Sequence, residues 1–213
     1  AAARDSLGPL GIDTFDCYML HWPTAWQHQG PLGDVSRLSH EEAAALTFPT
    51  DDTGAPLEAD VTLAETWREM DALREDGLTE TLGICNVSRD QLASLLDRAS
   101  VPPAIVQVEC HPYHHPTELI DFAHAHGIRV IAHSPLSTPG LLEDDALRTI
   151  ADAHDVSTAQ VVLRWALQQG VVPIPSSTNP DNVHANADVF GVVLSEDEMA
   201  AIDALHQPDF ERP

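Results

Sequence analysis

The sequence contains no lysine. Its ten basic side chains are all arginine, they face 34 aspartates and glutamates, and the formal charge is −24. Without an ε-amino group the chain supplies neither Schiff-base chemistry nor a lysine to acidify a neighbouring hydroxyl. So negative a surface repels nucleic acid and anionic membranes, which are excluded as partners. The charge reads as a property of the whole surface, as in a salt-adapted host, rather than a patch for one basic partner. Cysteine is also scarce. Cys17, Cys85 and Cys110 are odd in number, far apart and set in apolar runs, which excludes a disulfide framework or a zinc knuckle. No apolar run reaches membrane-spanning length and no charged-then-apolar leader opens the chain, so the expected location is the cytoplasm. The sequence opens at Ala1 rather than a methionine, a start that leaves room for a preceding segment.

What remains suits one globular domain, residues 1–213, with 43% hydrophobic residues. Short β-branched runs at 14–21, 81–86, 105–110, 129–134 and 171–175 alternate with helical patterns. Their near-continuous apolar character predicts strands buried on both faces. Ser88-x-x-Gln91, Ser157-x-x-Gln160 and Ser195-x-x-Glu198 read as capping boxes. Gly127 and Gly170 read as helix stops, Asn179-Pro180 as a helix start, and 63–75 as an amphipathic helix. Strand–helix alternation with right-handed crossovers gives an α/β fold with a parallel sheet. Residues 23–61 read as one long loop after a strand, with Trp22, Trp26 and Phe48 placed to line a substrate pocket.

Several strings, in order, resemble signatures of the aldo-keto reductase family. They are Leu10-Gly11-Ile12-Asp13, Asp16-Cys17-Tyr18-Met19-Leu20-His21-Trp22-Pro23, Gly83-Ile84-Cys85-Asn86, Gln107-Val108-Glu109-Cys110-His111-Pro112-Tyr113 and Ser134-Pro135-Leu136. Phe48-Pro49 through Asp52 and Gly54, Trp67-Arg68-Glu69-Met70 and Ile174-Pro175-Ser176-Ser177 match in the same order. The resemblance implies a (β/α)8 TIM-type barrel, truncated here to about five strand–helix units against the eight of a ~250-residue barrel. It implies NAD(P)H-dependent reduction of an aldehyde or ketone. In the family a tyrosine, supported by a lysine–aspartate pair and a histidine, protonates the carbonyl oxygen.

Residue by residue, the resemblance makes His21 the catalytic-position histidine. Asn86 and Gln107 are implied to hold the nicotinamide carboxamide, and His133 stands where a tyrosine stacks on the ring. Ser134, Leu136, Ser177 and Asn186 match further nucleotide contacts. The family's tyrosine, lysine and aspartate fall N-terminal to Ala1, and neither Tyr18 nor Tyr113 matches that tyrosine. Ser176 and Asn182 replace the cations that would pair a 2′-phosphate, so NADPH preference is in doubt and NADH or no cofactor stay open. Glu109, Cys110, His111, His114 and His115 form a dense group, yet they belong to an ordinary family string and no metal is assigned to them. His124, His126 and His154 read as solvated or helix-end residues.

Two other readings stay open. One is a repurposed barrel enzyme doing cofactor-free acid–base chemistry, as a lyase, isomerase, dehydratase or cyclase, through His21 and His133. The other is a non-catalytic binding protein whose open sheet edges pair in a homodimer.

Overall fold

The computed structural model describes residues 2–30 and 38–210. The elements run α1 (Ala2–Leu10), β1 (Phe15–Leu20), α2 (His40–Thr47), α3 (Leu63–Glu75), β2 (Thr79–Cys85), α4 (Arg89–Leu96), β3 (Ile105–Glu109), α5 (Thr117–Ala125), β4 (Arg129–His133), α6 (Asp145–His154), α7 (Thr158–Gln168), β5 (Val171–Pro173), α8 (Pro180–Ala187) and α9 (Glu196–Asp203). The strand order is β1-β2-β3-β4-β5, with β2–β3, β3–β4 and β4–β5 parallel. This is an α/β fold of the (β/α)8 type with five strands among the described residues. The chain packs as two compact units: Ala1–Leu82 with Asp90–Pro102, and Gly83–Arg89 with Pro103–Pro213.

In the first unit α3 opens with a reciprocal capping box between Thr62 and Glu65 and buries Trp67 and Met70. Trp67 Nε1 donates to the Val101 carbonyl at 2.8 Å, fixing α3 against the segment after α4. Residues 23–61 are more structured than the expected loop. Ser39 and Glu42 form a capping box on α2, and antiparallel bridges join Trp26 to Glu58 and Thr50 to Pro56. Residues 31–37 of that stretch lie outside the described residues.

In the second unit the capping boxes at Ser157 and Ser195 and the Asn179 cap form as expected, and Gly127 and Gly170 carry φ of 71° and 75°. α5 packs on β4 and α7 on β5. Trp165 of α7 is fully buried, and its Nε1 donates to Asp203 of α9 at 2.8 Å. The Gln168 side-chain amide bonds both the N–H and the carbonyl of Leu194, at 2.8 and 2.9 Å, as a strand partner would. His154 is the helix-end residue expected, closing α6, and it also bonds Glu198 of α9 at 2.8 Å.

β3 and β4 are buried on one face only. Val106, Val108, Val130 and Ala132 are buried, whereas Ile105, Gln107, Glu109, Ile131 and His133, on the other face, are half-buried. Helices cover the first face, and the second carries polar groups. The strands also end earlier than expected, because Asn86 and Ser134 turn into the left-handed region at φ 58° and 54°.

Trp67→Phe removes a buried donor and orphans the Val101 carbonyl. A loss of about 1–3 kcal/mol is expected from urea unfolding, and Trp67→Ala, which adds a cavity, costs about 3–5 kcal/mol.

Candidate active site

Parallel pairing brings the carboxyl ends of β2, β3 and β4 to one edge of the second unit. The register sets Cys85 beside Gln107 and Glu109 beside His133. Asn86, just past β2, donates its N–H to the Gln107 carbonyl at 2.9 Å. His133 Nε2 donates to Asn86 Oδ1 at 3.1 Å, while Nδ1 stands 3.1 Å from Ser134 Oγ. The imidazole thus spans β3 and ties two left-handed residues together. Gln107 shares this face, and its half-buried side-chain amide has no hydrogen-bond partner among the described residues. An amide that both donates and accepts, beside a second amide, is suited to a planar carboxamide.

Leu136 follows in the turn closed by Ser137 N–H on the Ser134 carbonyl, at 3.2 Å. Ser177 precedes α8 and accepts from Asn179 N–H at 3.1 Å, and Asn186 lies half-buried in the last turn of α8. Ser176 and Asn182 are exposed and neutral.

Behind this edge lies a triplet that sequence reasoning missed. His111 is fully buried, with Nε2 2.9 Å from Thr138 Oγ1 and 3.3 Å from Glu109 Oε1. Its Nδ1 accepts from His114 N–H at 3.2 Å, which fixes the proton on Nε2. The Glu109–His111 part lay in a quoted string; Thr138 is 27 residues from His111 and carried no signal. Among the described residues no three His, Cys, Asp or Glu side chains are grouped to hold a metal. Burial pushes the Cys110 thiol up to about 12, so it is inert.

In the first unit His21 follows β1 and opens a cavity of about 540 Å³, lined by Trp22, Trp26, His28 and Phe48 among others. The three aromatic rings meet edge-on, with centroids 6.0 Å apart for Trp22–Trp26 and Trp22–Phe48 and 5.1 Å for Trp26–Phe48. His21 sits 5.7 Å from Trp22. The wall is held by paired backbone bonds, Gln27 N–H to Leu57 O and Ala59 N–H to Ala25 O, both 2.8 Å. Asp51 pins the next turn by accepting from the Thr53 hydroxyl and the Thr53 and Ala55 N–H groups; these bonds, the hydroxyl first, lower its pKa.

Neither tyrosine is arranged as a proton donor. Tyr18 packs against Phe15 at 5.2 Å. Tyr113 donates to Asp144 at 2.9 Å, and burial, with that carboxylate beside it, pushes its pKa up to about 12.

The aldo/keto reductase family model matches residues 1–207. The chain belongs to the aldo/keto reductase family. It is 36% identical over 203 residues to aldose reductase B of Dictyostelium discoideum, covering 94% of this chain and 62% of that protein. It is also 36% identical over 217 residues to aldo-keto reductase family 1 member A1 of Cricetulus griseus, covering 97% and 62%. The aldose reductase structure from Schistosoma japonicum superposes with a TM-score of 0.84 at 30% identity, over 98% of this chain and 64% of that one. That from Giardia lamblia gives 0.83 at 32% identity, over 96% and 66%. This aldo/keto reductase chain therefore spans less than two thirds of the length of the curated relatives named here.

A spectrophotometric titration is expected to show a tyrosine step near pH 12, that of Tyr113. Because the native state keeps the Tyr113 proton that the unfolded chain releases above about pH 10, stability falls between those values. Tyr113→Phe should abolish the late step.

Proposed function

We propose that this chain carries the nicotinamide-binding part of an NAD(P)H-dependent reductase of a small aldehyde or ketone. The observation that carries the reading is the strand-edge pair Asn86 and Gln107, two half-buried amides side by side with the Gln107 side chain unpartnered among the described residues. A bound nicotinamide supplies the hydride. Asn86 and Gln107 hold its carboxamide, and His133, fixed by Asn86 and Ser134, offers a flat face. Ser134, Leu136, Ser177 and Asn186 contact the remainder of the dinucleotide. In the first unit His21 orients the carbonyl by hydrogen bonding, and Trp22, Trp26 and Phe48 line an apolar substrate pocket.

Exposed, neutral Ser176 and Asn182 leave a 2′-phosphate without a cation in a chain of charge −24, so NADH binds at least as well as NADPH. The reading takes residues 1–213 as one domain of a cytoplasmic enzyme. The three free cysteines suit a reducing compartment, and pairing with a second copy covers the outer strands.

A second reading has its own observation. The Glu109–His111–Thr138 triplet behind His133 is a carboxylate backed by an imidazole, the arrangement a cofactor-free acid–base enzyme uses.

Titration calorimetry with NADH and NADPH separates the two. The reductase reading expects micromolar-range binding of NADH, NADPH no tighter, and a loss of about tenfold or more in Asn86→Ala, equivalent to one lost hydrogen bond to a half-buried partner. No binding of either nucleotide to the folded chain rejects it and favours the acid–base reading.

A further inference from the structure

The turn at residues 111–115 and the segment that follows α9 meet around imidazole nitrogens that accept hydrogen bonds, one across the contact and one within the turn. His115 N–H donates to His206 Nδ1 at 3.1 Å. His114 N–H donates to His111 Nδ1 at 3.2 Å. A protonated imidazole carries hydrogen on both ring nitrogens and accepts from neither donor, so each bond exists only with the ring neutral. Gln207 N–H donates to the Tyr113 carbonyl at 3.0 Å, and Phe210 closes the contact with its ring 5.0 Å from His111 and 5.6 Å from His114.

The surrounding charges are few. Glu109 on β3 faces His111 and His114; Asp203 on α9 and Asp121 on α5 face His115; His206 adds its own field to His114 and His115. The carboxylates favour protonation, yet burial, the larger effect, holds both His114 and His115 below the ordinary histidine value of 6.5. His206 is itself exposed.

We propose that residues 204–210 form a proton-released strap, docked on the 111–115 turn while the imidazoles of the contact are neutral and freed when protons bind there. Docked, Phe210 shields His111, and through it the Glu109–His111–Thr138 triplet behind the strand edge. Released, it opens that triplet to solvent. The strap stands on its own contacts and does not depend on nucleotide binding.

The sign follows from the shifted groups. Freed of the segment, His114 and His115 of the turn bind protons closer to the ordinary histidine value than they do when buried beneath it. Docking is therefore at full strength above about pH 6.5 and weakens as pH falls through it. Each proton excluded from the docked form weakens docking by about tenfold between about pH 7.5 and about pH 5.5.

Residue-resolved hydrogen–deuterium exchange at those two pH values, corrected for the intrinsic exchange rate, tests the strap. Protection of the His115, Gln207 and Phe210 amides is expected to fall by about tenfold or more, with Val106 and Val130 unchanged. His206→Asn keeps an acceptor oxygen near the place of Nδ1 but takes no proton, so at about pH 5.5 its strap should be protected about tenfold better than the parent's. His206→Ala lacks the acceptor and should be loosened at both pH values. Equal protection at both pH values in the parent overturns the strap. So does an undiminished fall in His206→Asn, or loss of Val106 and Val130 protection along with the segment's.

Discussion

Parallel pairing of β2 through β5 is the constraint on which the rest of the second unit depends. It sends each strand's carboxyl end to the same edge, and its register decides which side chains share a face. A slip of one residue would carry Gln107 and Glu109 to the helix-covered side and Val106 and Val108 to the polar one. The register is held from the helix side, where Val106, Val130 and Ala132 are fully buried, as is Trp165 of α7, anchored by Asp203. Left-handed turns at Asn86 and Ser134 then end their strands, and His133 ties those two residues across β3.

A chain with 34 acidic side chains and no lysine cannot rest its fold on ion pairs. The bridge between Arg4 and Asp76 is exposed on both sides and contributes little. The carboxylates instead accept from backbone N–H groups. Glu42, Glu65 and Glu198 complete capping boxes, Asp144 caps α6 and Asp51 holds a turn. Glu42, Glu65, Glu198 and Asp51 have lowered pKa values, the hydrogen bonds they accept being the leading cause in each. Glu42, Glu65, Asp144 and Glu198 thereby serve helix starts, where N–H groups lack partners.

Local signals were legible in the sequence. The boxes at Ser157 and Ser195 and the Asn179-Pro180 start depend on side chains within four residues of the backbone they serve, and the stops at Gly127 and Gly170 on the lack of a side chain at positive φ. The family and the parallel α/β order were legible too, because ordered strings such as LHWP and ECHPY survive. Non-local features were not. The Trp26–Glu58 bridge runs through irregular backbone with no period to read. One-sided burial of β3 and β4 was hidden because Ile105 and Ile131 are as apolar as their covered neighbours. The His115–His206 bond joins residues 91 apart, and the Trp165–Asp203 bond residues 38 apart. The boxes at Ser39 and Thr62 were local and readable, yet the loop-like composition around them obscured both.

The central claim is that the edge at β2 and β3 is built to hold a carboxamide. Nitrogen-resolved NMR of the side-chain amides tests it most directly, with NADH added to labelled protein. The account predicts that the NH₂ resonances of Asn86 and Gln107 shift together and saturate at one concentration. Movement of other asparagine and glutamine amides at saturation, with these two unmoved, would contradict it.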